Sequence, residues 1–224
     1  MNQQPAFPEP VIDHIIYCAQ DLNDAIDQLE QLLGVRATIG GQHPGRGTHN
    51  ALLSLGPGAY MEIIAPDPDQ PQVEQPLAFG LDTLKEPGLK TWAARPHDIE
   101  ATAAWARQNG YDPGKIVSGS RARPDGVLLA WRTTSHPQLK VDGLPPGDGL
   151  VPFLIDWGET PHPSSASPQG CRLISLTATH PEPDKIRDML SALNISIAVD
   201  AGETPQLLAK LDTPRGQITL PTAS

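Results

Sequence analysis

The chain has 224 residues with 25 prolines and 20 glycines. That is about twice the usual proline share, and it excludes a helical bundle or coiled coil, because proline removes a backbone donor and clashes inside helices. The 16 basic and 26 acidic side chains leave a net charge of −10, which repels phosphate backbones and anionic lipid heads, so nucleic acid and membrane are not expected partners.

With 38 % hydrophobic residues, the length suits one large or two small domains with a sizeable core. No apolar run approaches the roughly 20 residues of a membrane span. Residues Met1 to Pro10 lack the basic start and apolar stretch of a signal peptide, so a soluble cytoplasmic protein is expected. Two cysteines, Cys18 and Cys171, are too few for a disulfide framework, and Cys18 reads as a small buried hydrophobe.

In chain order, Val11 to Ala19 reads as a strand with His14, Ile16 and Cys18 on one face and Ile15 and Tyr17 on the other. Asp21 caps a helix whose Leu22, Ala25, Ile26, Leu29, Leu32 and Leu33 follow helical spacing, and Gly34 closes it. A short strand at 35–39, a glycine-rich loop, and strands at 48–55 and 60–65 complete a strand-helix-three-strand unit. Prolines mark 66–87 as a connection.

The same order recurs: a strand at 89–95, a helix capped by Asp98 and ended by Asn109-Gly110, strands at 115–121 and 127–133 around Pro124-Asp125-Gly126, and a closing strand at 151–157. Superposing Asp21 on Asp98, an offset of 77, brings the two helix ends within one residue, which indicates an internal repeat. Segments 137–152 and 158–170 read as proline-rich connections. A third, degraded copy follows, with strands at 172–179, 195–199, 207–211 and 217–220 and a helix at 184–193.

The fold class read from this order is α+β: paired βαβββ modules, about 11–66 and 88–158, forming curved mixed sheets around a cleft within a domain over 11–165. A partial third module, 171–224, packs on it. Each open sheet leaves an unpaired edge; pairing two units covers it and encloses a cleft suited to a small-molecule ligand. The third unit then covers an edge or forms a homodimer contact.

Two polar residues stand in apolar strands on the inward face, His14 and Glu62. A lone buried carboxylate needs a partner. The two can ligate a divalent ion or form a structural pair. The segment His43 to Asn50 supplies glycines that allow close approach, with Arg46, His49 and Asn50 as polar contacts. It is a binding loop or a polar surface loop. If the Gly56-Pro57-Gly58 turn pairs Leu52 with Glu62, Asn50 faces the cleft near Ile64, and His49 faces away or lies at the strand mouth.

Arg121 or Arg132 can clamp a carboxylate or phosphate, or pair with a neighbouring acid. Asp156, at the closing strand of the second unit, can serve as a third ligand or general base. Trp92, Trp131 and Trp157 line a pocket or belong to the core. His97, His136 and His180 lie beside prolines in connections and read as solvated. No serine-hydrolase, P-loop or dinucleotide motif is present.

The run Asp13-His14-Ile15-Ile16-Tyr17 with Asp21-Leu22 resembles the opening of vicinal oxygen chelate proteins. His43-Pro44-Gly45, Gly47 to Leu52, Tyr60 to Ile64, Ser120-Arg121, Trp131, Pro152 to Trp157 and His162-Pro163 resemble the glyoxalase-like domain branch of that superfamily, over about 11–165. The resemblance implies paired modules around a cleft that often holds a divalent metal, with His14 and Glu62 as ligands of the first module. It implies an enzyme of lyase, isomerase or dioxygenase type on a small polar or carboxylate-bearing molecule, with zinc, iron, manganese, nickel and magnesium not distinguished. Under this reading Glu62 and Asp156 are catalytic, and Arg46, His49, Asn50, Arg121, Trp131 and Trp157 bind substrate. The same offset puts Thr91, a poor ligand, opposite His14. A non-catalytic binding protein in the same cleft is the alternative.

Overall fold

The structure is a computed structural model that describes residues 7–70, 76–140 and 143–222. Parts of the predicted connections, at 71–75 and 141–142, lie outside the described residues. The first unit comprises β1 (Val11–Cys18), α1 (Leu22–Leu33), β2 (Thr38–His43), β3 (Thr48–Ser54) and β4 (Tyr60–Pro66). Asp21 caps α1 by accepting from the backbone N–H groups of Asn23 and Asp24, and Gly34 ends it at φ 79°, where glycine alone costs no Cβ strain. The second unit comprises β5 (Gly88–Arg95), α2 (Ile99–Gln108), β6 (Lys115–Ala122), β7 (Leu128–Ser135) and β8 (Phe153–Asp156).

These eight strands form one curved sheet in the order β2-β3-β4-β1-β5-β8-β7-β6. The two halves mirror each other. In each, the first strand pairs in parallel with the last and the rest pair antiparallel, while β1 and β5 join antiparallel at the centre. The repeat expected from the offset of 77 is therefore present in the pairings.

The sheet curls until its two edges nearly meet. The Arg121 guanidinium on β6 donates to the Gly40 carbonyl on β2. A Cβ on Gly41 would lie 2.5 Å from the Ala122 carbonyl oxygen, so the glycine pair permits this approach. The expected strand at 35–39 is displaced: β2 runs through those glycines to His43, because a strand edge this close to another backbone favours residues without side chains.

The third unit comprises β9 (Arg172–His180), α3 (Pro183–Ala192), β10 (Ala198–Ala201), β11 (Gln206–Thr213) and β12 (Gly216–Leu220). It keeps the strand-helix-three-strand order, but its sheet runs β10-β9-β11-β12. The second strand therefore pairs in parallel with the first, unlike the first two units.

One core cluster joins the convex face of the large sheet to the other elements. Ile15, Ile63 and Trp92 meet Leu29 of α1, Ala103 of α2 and Ile186 of α3, together with Leu207 and Leu211 of the small sheet. The helices thus cover the convex side, while on the concave side Leu77 and Leu81 of the segment 77–84 pack on Ile16, Cys18 and Ile64. No helix among the described residues is long and apolar enough to cross a membrane.

Candidate functional site

The concave side encloses a cavity of about 390 Å³. One part of its wall is polar, with His14, His43, Asn50, Glu62 and Arg121. Another is aromatic, with Tyr60, Phe79, Trp131, Phe153 and Trp157. A wider, shallower groove on the third unit carries no comparable set: its Arg187 is tied to Asp184 and to the Val199 carbonyl.

His14 projects from β1, and its ring stacks on Tyr60 at 4.5 Å. Its Nδ1 meets Asp13 Oδ1 at 2.7 Å. A carboxylate only accepts, so Nδ1 carries a proton, and Nε2 is the ring nitrogen turned to Glu62 and the cavity. Nε2 stands 3.6 Å from Glu62 Oε2, beyond hydrogen-bond range. Glu62 projects from β4, where Leu52↔Glu62 and Asn50↔Ile64 are the register partners on β3, as the turn had indicated. Asn50 donates from Nδ2 to Glu62 Oε1 at 2.6 Å, and its own Oδ1 is buried without a partner.

His43 closes the polar wall. Its Nδ1 meets Thr48 Oγ1 at 2.9 Å, while Nε2 lies 3.4 Å from Asn50 Nδ2 and 3.7 Å from Glu62 Oε1. Burial lowers the pKa of its imidazole, against the pull of Glu62. Burial likewise lowers that of the Arg121 guanidinium, with the Glu62 charge opposing, and pushes the Tyr60 phenol well up. Arg121 is 4 % exposed, and among the described residues no carboxylate lies within ion-pair distance of it. Phe79 takes φ 62°, uncommon for a bulky residue, and its ring stacks on Phe153 at 6.1 Å.

Of the residues singled out from sequence, His14, Arg46, Asn50, Glu62, Arg121, Trp131 and Trp157 line this cavity, Arg46 from an exposed position. His49 does not. It alternates with Asn50 and shares the face of Ala51 and Leu53, which pack in the helix-side core.

Asp156 requires a correction. It alternates with Ile155, which lines the cavity, so its carboxylate lies on the other face. There it accepts from the Gly158 N–H at 2.9 Å and from Arg132, which also bonds Glu100 on α2. Within the second unit, Ala93 pairs with Phe153 as Ile16 pairs with Glu62. With the offset of 77, Phe153 occupies the place of Glu62 and Thr91 that of His14. The reading of His180 as solvated is also overturned: it is 5 % exposed and bonds Asp148 at 2.9 Å. Trp92 is core, donating to the Leu150 carbonyl. His43, Asp13 and Phe153 were not singled out from sequence. Only His43 carried a signal, a titratable side chain beginning the glycine-rich segment.

Paired mirror-related βαβββ halves around one concave cavity define a vicinal oxygen chelate fold. A glyoxalase-like domain family model matches residues 12–194, and the chain belongs to that family. The match runs past the second unit into the third. No curated protein matches. Among solved structures, a hypothetical protein from Staphylococcus aureus aligns at 16 % identity and TM-score 0.60, covering 96 % of this chain and 86 % of that one. A methylmalonyl-CoA epimerase from Mycobacterium tuberculosis aligns at 20 % identity and TM-score 0.40, over 69 % of this chain and 90 % of that one.

Two donors fit a divalent ion. Two ligand atoms about 2.0–2.2 Å from a tetrahedral zinc ion stand roughly 3.4 Å apart, close to the His14–Glu62 separation. Among the described residues no group of three or more His, Cys, Asp or Glu side chains is placed to hold a metal. His14 and Glu62 are thus the two residues that would hold such an ion, and solvent or substrate would complete its shell.

Proposed function

We propose that this protein is a divalent-metal-dependent enzyme of lyase, isomerase or dioxygenase type, acting on a small carboxylate-bearing molecule in the concave cavity. The observation that carries this reading is the pair His14 Nε2 and Glu62 Oε2, which face each other on the polar wall at 3.6 Å, beyond hydrogen-bond range. A bound ion would be held by these two residues and would polarise a substrate oxygen as a Lewis acid.

The other residues act on the substrate directly. Arg121 holds its anionic group, since a buried guanidinium without a carboxylate favours an anion. The aromatic wall excludes water and packs the apolar part. Glu62 and His43 are the groups that can move a proton, the first at its carboxylate and the second at Nε2.

The test is metal content of protein expressed without chelator, compared with His14→Ala and Glu62→Gln. About one equivalent in the wild type and none in the variants is expected. Equal content after divalent ions are offered sinks the reading.

A second reading, a non-catalytic binding protein, has its own support. Thr91 and Phe153 stand where the second unit would supply ligands. It predicts ligand-dependent thermal stabilisation without turnover, and product formation from a tightly bound ligand counts against it.

A further inference from the structure

We propose that Asp13 is a positioning residue that fixes the proton of His14 on Nδ1, so that Nε2 presents a lone pair to the cavity. The inference concerns the same site as the metal reading, and it reaches a residue that lies outside the cavity wall.

Asp13 is fully buried and built to be a carboxylate. In the pairing of β1 with β5, Ile12 faces Ala94 and His14 faces Ala93. Asp13 is the extra residue of a register shift, and such a bulge re-aims a side chain. The shift brings its carboxylate within bonding reach of the ring next to it in sequence, at 2.7 Å.

Three further donors converge on Asp13. His162 Nε2 lies at 3.0 Å from Oδ2, Trp157 Nε1 at 3.2 and 3.3 Å from the two oxygens, and Arg95 Nε at 3.5 Å. The tautomer of His162 follows from its other nitrogen: Nδ1 accepts the Ser164 backbone N–H at 3.2 Å, so Nε2 carries the proton and donates. Both oxygens of this buried carboxylate are thus met by donors, Oδ1 by His14 and Trp157 and Oδ2 by Trp157 and His162. Asp13 is therefore a fixed acceptor for His14. An imidazole that donates from one nitrogen to a carboxylate is held in orientation and is a better ligand or acceptor at the other. The loop carrying His162 thus supports the site without entering it.

The test is long-range proton–nitrogen NMR on protein labelled at histidine and free of added metal, with His14 assigned by its loss in His14→Ala. The expected wild-type pattern is Nδ1 protonated and Nε2 unprotonated. Asp13→Ala is expected to move protonation to Nε2 in whole or part and to weaken zinc binding about 10- to 100-fold. His162→Gln is expected to leave the His14 tautomer in place. A wild-type His14 protonated at Nε2, or an Asp13→Ala protein with unchanged tautomer and zinc affinity, overturns the inference. If Asp13→Ala does not fold, the wild-type spectrum decides. If the wild type binds no zinc yet shows the expected tautomer, the metal reading fails and the positioning role stands.

Discussion

His14 Nε2 and Glu62 Oε2 stand 3.6 Å apart, too far to share a proton and close enough to share an ion. They come from parallel neighbours β1 and β4, where His14 pairs with Tyr60 and Ile16 with Glu62. A two-residue diagonal across one face therefore sets the separation. Glu62→Gln keeps an oxygen to accept the 2.6 Å bond from Asn50 and removes the charge. Thermal stability is expected to stay near that of the wild type, while zinc affinity by calorimetry falls by more than about 100-fold, beyond what losing an indirect partner costs.

The near-closure of the sheet depends on Gly41. Its φ is 139°, and an added Cβ would meet the Ala122 carbonyl oxygen at 2.5 Å. Gly41→Ala is expected to cost about 2 kcal/mol from strain at this φ with the clash, lowering Tm by about 4–8 °C. Gly45→Ala is the control: its φ is 70° with nothing within 4 Å of the added carbon. It should cost less, and an equal loss from both would place the effect in backbone strain alone.

Much of the architecture was legible because its signals are local. Helix α1 ends on Leu33 as read, since Asp21 and Gly34 cap it chemically. The mirror pairing of the halves was foreshadowed by the offset of 77. The misses share a physical cause, since they depend on contacts distant in sequence. Gly40 and Gly41 read as loop because the strand that makes glycine useful there, β6, lies some 80 residues on. From sequence Asp156 reads as a site residue because a one-residue slip in a short strand moves a side chain to the other face, and the four residues of β8 carry too little alternation to fix it. Asp13 gave no sign of its role, because its partners Trp157 and His162 come from the far end of the second unit. The pairing of the third unit was equally hidden, because element order does not determine strand order.

Arg121 is expected to select anions. Its guanidinium bonds the Gly40 carbonyl and has no carboxylate partner among the described residues. Arg121→Lys keeps the charge and loses the planar fork. Small aliphatic and aromatic carboxylates should stabilise the wild type in thermal-shift titrations more than their neutral amides do. The variant should lose at least about tenfold in carboxylate affinity, roughly the value of a charge-assisted hydrogen bond. Equal stabilisation of the wild type by acid and amide would remove Arg121 from the binding site.

Asp156 is expected to contribute stability and not catalysis. Burial pushes its pKa up, but the Gly158 N–H and the Arg132 guanidinium outweigh burial, so the net shift is downward. A carboxyl whose folded pKa lies below its unfolded value of about 3.9 contributes fully above that value, and the contribution is lost as pH falls through the folded pKa. The side chain is 28 % exposed, so the pair with Arg132 is worth at most about 1 kcal/mol. Asp156→Asn should therefore lower Tm by about 2–4 °C at pH 7, with the gap narrowing as pH falls from about 4 toward 2. Thermal unfolding of both proteins across pH 2–7 checks the sign, and a gap that widens in acid contradicts it. Because the carboxylate lies on the helix side of the sheet, zinc affinity and any turnover should match the wild type. A large loss of either without a loss of stability would return Asp156 to the chemistry.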